Sequence, residues 1–157
     1  MKAIHWIIAA AALSFAQAAP ASAGVNDPEI LIYRFPGVLD DGGAAFNGIA
    51  TVFSCTFFSG VPENIRFVTR DGNGTLVINI PATNQPHLKT LTLGTHFTGT
   101  YQGGSLGTGP VIGGTTAIAA TSTNVICTAI AMSATNAPTF AASLRGIRFN
   151  PAPGSQE

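Results

Sequence analysis

From residue 30 onward, apolar and polar side chains alternate in short runs, and each run ends at a cluster of Gly, Pro, Asn or Asp. Alternation with period two places successive side chains on opposite faces of a strand. "EILIYRF" is the first such run, and Pro36-Gly37 is expected to stop it. "GIATVFSCTFF" follows, with Ile49, Thr51, Phe53, Cys55 and Phe57 on one side and Ala50, Val52, Ser54, Thr56 and Phe58 on the other. The bulkier side, which carries Cys55, is the expected buried face. "IRFVTRDGNGTLVINI" holds two alternating runs around Asp71-Gly72-Asn73-Gly74 and predicts a β-hairpin, because Gly and Asn accept the positive φ that tight turns demand. Pro81 is expected to end its second strand.

Further along, "HLKTLTLGTHFTGTY" places Leu91, Leu93, Thr95, Phe97 and Tyr101 on one face, ahead of the Gly-rich loop "QGGSLGTGPVIGG". "TTAIAATS" and "NVICTAIAMSA" read as a strand pair joined near Ser122-Thr123-Asn124. In "TFAASLRGIRFN" the apolar spacing slips by one at Gly146, as a β-bulge would make it. No run of more than about ten residues keeps a helical period. About seven to nine short strands in one domain predict an all-β fold, a single antiparallel β-sandwich of immunoglobulin-like kind, with a barrel as the alternative.

The N-terminus departs from this pattern. Lys2 precedes the apolar stretch "AIHWIIAAAALSFAQAA", and "ASA" at 21–23 presents the small residues of a signal-peptidase site. Residues 1–23 are therefore expected to be a cleaved signal peptide, residues 24–150 the sandwich domain, and residues 151–157 a short tail. Export to the periplasm, the cell surface or the medium follows, with no transmembrane segment after cleavage. Losing residues 1–23 takes Lys2 from the seven basic residues and leaves the seven acidic ones. That balance carries no basic excess for phosphate contacts, which excludes nucleic acid as the expected partner. A periplasmic or surface protein is the expected partner class. Only 9% of the chain is charged, so Thr, Ser and Asn have to cover the surface.

Two cysteines in an exported chain predict a disulfide between Cys55 and Cys127, read as a staple between two sheets. A thiol nucleophile fits poorly in the Phe-rich strand of Cys55. Structural zinc needs four ligands at close paired spacing, and none is visible. A blue-copper site could use Cys127 and Met132, but no histidine follows Cys127, and the imidazoles would have to be His87 and His96. No cofactor is expected.

The remaining chemistry is sparse. Asp40 and Asp41 sit in a Gly-rich loop and are candidate ligand or cation contacts. So are His96, read as a strand-surface histidine, and Arg66 and Arg70, which would form a cationic patch with Arg34 if their strands are neighbours. "RDGNGT" suggests calcium, but Ile80 occupies the position where an EF-hand places glutamate. "NGT" at 73–75 is a glycosylation sequon. Paired-carboxylate catalysis would have to draw on Asp27, Glu29, Asp40, Asp41, Glu63 and Asp71, none of them mid-strand. "GGSLGTG" is neither a nucleophile elbow nor a P-loop. Carbohydrate platforms are scarce, since Tyr33 and Tyr101 are the only tyrosines and Trp6 lies in the signal segment.

Taken together, "GIATVFSCTFFSG" and "AIAATSTNVICTAIAMSA" resemble a group of small exported bacterial proteins of uncharacterised activity. The resemblance covers most of the chain after residue 23. It implies a β-sandwich with a cysteine in each of these strands, and it carries over no functional residue. Chaperone–usher pilus subunits are also small, exported and rich in Thr and Gly. Their cysteines lie closer together, and "RFNPAPGSQE" lacks their C-terminal pattern. The failure of each catalytic template makes a non-catalytic binding or structural module the expected role. A secreted hydrolase with a loop-built site and a self-assembling pilin- or adhesin-like subunit are the alternatives. In the latter, the weakly charged strand near 115–121 would offer a free edge.

Overall fold

The computed structural model describes residues 24–101 and 103–149. The expected signal peptide, residues 1–23, and the expected tail, residues 151–157, lie outside them. Among the described residues no helix is long and apolar enough to cross a membrane.

Among the described residues nine strands form two antiparallel sheets: β1 Ile30–Asp40, β2 Ile49–Phe57, β3 Glu63–Arg70, β4 Leu76–Gln85, β5 Thr90–Gly94, β6 Val111–Ala120, β7 Val125–Ser133, β8 Ala141–Leu144 and β9 Ile147–Arg148. One sheet runs β4-β3-β6-β1-β9, and the other runs β5-β2-β7-β8. They pack face to face because period-two alternation gives each an apolar inner face. Phe35, Phe67 and Ile118 of the first sheet meet Phe53, Phe57 and Val125 of the second, all fully buried or nearly so. The Phe53 ring wedges between Phe35 and Phe67, with centroids 5.8 Å and 6.0 Å away. A buried hydroxyl also ties the sheets. Thr51 Oγ1 donates to the Leu39 carbonyl and accepts from the Leu39 amide, both at 2.9 Å.

The hairpin at Asp71–Thr75 forms as its residues dictate. The Gly74 amide donates to the Asp71 carbonyl, and the Asp71 carboxylate accepts from the amides of Asn73 and Thr75. That carboxylate is thereby committed to the turn, not to a calcium loop.

Several expectations need correction. Neither proline ends its strand. β1 runs through Pro36 with register shifts on either side of Val38, and β9 pairs it only at Tyr33 and Arg34, so that edge is open at Pro36. Pro81 lies within β4, an edge strand, where a missing N–H is tolerated. Strands β6 and β7 are not a hairpin. β6 is the central strand of the first sheet, between β3 and β1, and β7 lies in the second. The run 115–121 therefore offers no free edge.

The slip at Gly146 is not a bulge either. The chain leaves the second sheet after β8 and joins the first as β9, so Arg145-Gly146 is a crossing between sheets. A side chain on Gly146 would collide with the Phe35 ring, and this contact sets the residue at the crossing.

Cys55 and Cys127 are bonded, but not between sheets. They are directly opposed on neighbouring strands β2 and β7, with Cα atoms 4.1 Å apart and both side chains on the inner face. This departs from antibody domains, whose disulfide joins the two sheets.

Candidate functional site

Two aspartates and a histidine converge at one end of the sandwich, where β1 ends and the chain leaves β5. Asp40, the last residue of β1, is buried at 1% exposure. His96 stands two residues beyond β5, in a turn, not on a strand surface. Its backbone follows Thr95, whose amide donates to Thr51 O and whose hydroxyl accepts from the Thr51 amide. The turn is thus anchored to β2, and His96 is carried towards Asp40.

The imidazole is held at both nitrogens. Nδ1 lies 2.9 Å from Asp40 Oδ2, and Nε2 lies 2.9 Å from the Asn47 carbonyl. A carbonyl only accepts, so Nε2 carries a proton and donates it. Asp40 Oδ1 accepts from the Gly42 amide at 2.8 Å, and the Thr108 hydroxyl, 3.2 Å from Oδ2, shares its one proton between that oxygen and the Gly109 carbonyl at 2.9 Å.

Asp41 is exposed in the same loop. The Ile49 amide, foremost, holds its carboxyl below the ordinary aspartate range. A slight burial opposes this, and the Gly43 amide and the positive field of His96 add to it. Asp41 therefore contributes stability above its ordinary titration range, and that contribution is lost as the pH falls through its lowered value. Gly48, at φ 75, lies against this carboxylate so closely that any side chain there would strike it.

The loop 41–48 is clamped onto the turn after β5 by two further contacts. The Phe46 amide donates to the Phe97 carbonyl at 2.9 Å, and the two rings pack with centroids 6.3 Å apart. Phe46 adopts φ 65, which a bulky residue holds only when its surroundings over-determine it. Both rings remain about half exposed, at 47% and 48%.

Ligand atoms of Asp40, Asp41 and His96 lie within 4.8 Å of one another. Metal ligation by His96 requires a lone pair on one ring nitrogen. Nε2 faces Asn47 as a donor and Nδ1 faces Asp40, so this geometry serves the loop's own hydrogen bonds. The same geometry differs from a nucleophile–base–acid arrangement, in which Nε2 would face a hydroxyl.

The structure separates the other candidates. Arg34, Arg66 and Arg70 share the outer face of the first sheet, but β6 lies between their strands. Arg66 pairs with Glu29 and with Asn79 Oδ1, Arg70 donates to the Gly74 carbonyl, and Arg34 stands over the Phe149 ring. Asp27 accepts from the Gly24 amide, while His87 accepts from the Gly60 amide through Nδ1. Thr108, Asn47, Phe46 and Phe97 were not singled out from sequence, and only the Asp40-Asp41-Gly42-Gly43 run hinted at a structured loop there.

Known protein families, curated proteins and solved structures give no match to this chain.

Removing the Asp40 carboxylate tests the structural role of this cluster. Asp40→Asn is expected to lower stability by about 2 kcal/mol, as hydrogen bonds to charged groups do. Urea denaturation measures it. A loss within about 0.5 kcal/mol, the range of a surface change, would contradict that role.

Proposed function

We propose that this is an exported, non-catalytic binding or structural module stabilised by its disulfide. The observation that carries the reading is the half-exposed Phe46–Phe97 pair, mounted on a loop locked by Asp40, His96 and Asn47. Exposed aromatic rings on a rigid base are the anchors that binding surfaces favour, because little conformational entropy is lost on contact. Export accords with the signal-like N-terminus and with disulfide chemistry, which belongs to oxidising compartments. The partner expected there is a periplasmic or surface protein. An immunoglobulin-like framework belongs to the same reading and rests on the two-sheet packing alone, since the in-sheet disulfide departs from the antibody pattern.

A second reading, a self-assembling surface subunit, is favoured by β4. This edge strand of ten residues carries no charge and exposes Leu76 at one end. Uncharged edges invite strand pairing, although Pro81 interrupts this one.

The experiment is a comparison of the purified wild type with Asp40→Asn, Asp41→Asn and His96→Ala against a panel of hydrolase substrates. No turnover in any of the four is expected. Turnover by the wild type that is lost in one of the variants contradicts the non-catalytic reading.

A further inference from the structure

At the end of the first sheet, away from the His96 loop, lies a carboxyl group with no hydrogen bond to balance it. Glu63 opens β3 and is 0% exposed; Gln85, directly opposite, closes β4 and is also buried. Among the described residues, the buried side-chain oxygens left without a partner are Glu63 Oε1, Glu63 Oε2 and Gln85 Oε1. Gln85 Nε2 donates to the Thr83 carbonyl at 2.7 Å, which fixes the amide with its oxygen as the free end. Three acceptors therefore meet at one cross-strand pair with no donor among them.

An anion in that position would be buried without a counter-charge, which is the costliest state a carboxyl group can take. The nearby groups do little to relieve it. Ser59 gives its proton to the Val61 carbonyl, while Ser122 accepts from the Asn124 amide and keeps its own proton, which lowers the cost of a charge at Glu63 without forming a hydrogen bond to either carboxyl oxygen. The titratable group whose field reaches Glu63 is His87, whose Nδ1 is already taken by Gly60. Burial dominates and pushes the Glu63 carboxyl above the ordinary glutamate range, against smaller opposing effects from Ser59, His87 and Ser122.

Two occupants would satisfy the acceptors. Calcium takes about six to eight oxygens, and the three here supply half of such a shell at most. A proton needs only one donor and one acceptor. We propose that Glu63 is held as the neutral acid and donates to Gln85 Oε1, forming a pH-gated latch at this end of the sandwich.

The latch sits where four segments meet. Next to it, the Asn64 amide donates to Thr121 Oγ1, and the Thr121 amide donates back to Asn64 O. Asn64 Nδ2 donates to the Val25 carbonyl, and Asn64 Oδ1 accepts from the Asn84 amide. Beside them a groove of about 420 Å³ opens between Val25, Asp27, Val61, Pro62 and Asn84. Ionising Glu63 places an uncompensated charge beneath these ties and loosens them, so the groove opens as the pH rises. The stabilising contribution of Glu63 is complete in acid, below the ordinary glutamate range. It is lost as the pH climbs through the raised value, the reverse of Asp41.

The test is a carboxyl carbon-13 titration of the full chain, with Glu63 assigned through its backbone, beside amide exchange at Asn64 and Thr121 in wild type and Glu63→Gln at matched pH. Glu63 is expected to titrate above the ordinary value of about 4.3. Once the pH is about one unit past that titration, exchange at Asn64 and Thr121 should run about tenfold faster than in Glu63→Gln. Titration of Glu63 in the ordinary range overturns the proposal, as does wild-type exchange that tracks Glu63→Gln throughout. Calcium that keeps Glu63 ionised while slowing exchange overturns it in favour of a cation site. If Glu63→Gln fails to fold, the wild-type titration decides alone.

Discussion

Replacing Cys55 and Cys127 together with alanine is expected to destabilise the protein by about 4 kcal/mol. The bond joins residues 72 apart in sequence, and loop-closure entropy for a ring of that size gives about this value. Such a loss is a large fraction of the roughly 5–15 kcal/mol that holds a domain together. It should lower the melting temperature by about 15 °C. The position of the bond strengthens the expectation. Cys55 and Cys127 lie on the inner face of β2 and β7, so alanine also leaves space in the core. Urea denaturation of oxidised wild type beside the double variant gives the number. A difference below about 1 kcal/mol would mean that the nine-position ladder from Ile49–Ser133 to Phe57–Val125 holds these strands without covalent help.

Phe53→Ala should cost about as much, near 4 kcal/mol, by a different route. Phe53 is fully buried and touches one aromatic ring from β1 and another from β3. Its removal forfeits the transfer of the ring out of water and leaves a cavity between two sheets that cannot close without moving both. Phe97→Ala serves as the control. That ring is half exposed at the loop, and its loss should cost about 1 kcal/mol or less. Equal effects for the two would show that the packing of Phe53 between Phe35 and Phe67 does not anchor the sandwich.

Period two and turn chemistry made strands legible in the sequence, because both act between near neighbours. The hairpin at Asp71–Thr75 is the clearest case. Alternation names the buried face of a strand, but it does not name the sheet that receives it. The β6–β7 connection, read as a hairpin, and the crossing at Gly146, read as a bulge, differ from expectation for this reason: a hairpin turn, a bulge and a passage between sheets leave similar local marks. The cysteines followed the same rule. Their count predicted a bond, while their placement on adjacent strands of one sheet depended on long-range order.

The site was legible only in part. Asp40 and His96 stood out as chemistry, yet their hydrogen bond spans 56 positions and depends on two turns folding towards each other. Nothing local marks Asn47 or Thr108 as their partners. Glu63 is different. It falls in step with Ile65, Phe67 and Thr69 on the inner face of β3, so its burial was present in the alternation, hidden by the neighbouring Pro62.

The most direct measurement is an intact mass spectrum of the protein recovered from periplasm and medium, with thiol labelling before and after reduction. A chain that begins at Gly24, resists labelling until reduced and then takes two labels is the expected result; it places a disulfide-stapled module outside the cytoplasm. A chain that retains residues 1–23 in the cytoplasm, with both thiols free to label, would contradict export and the Cys55–Cys127 bond at once.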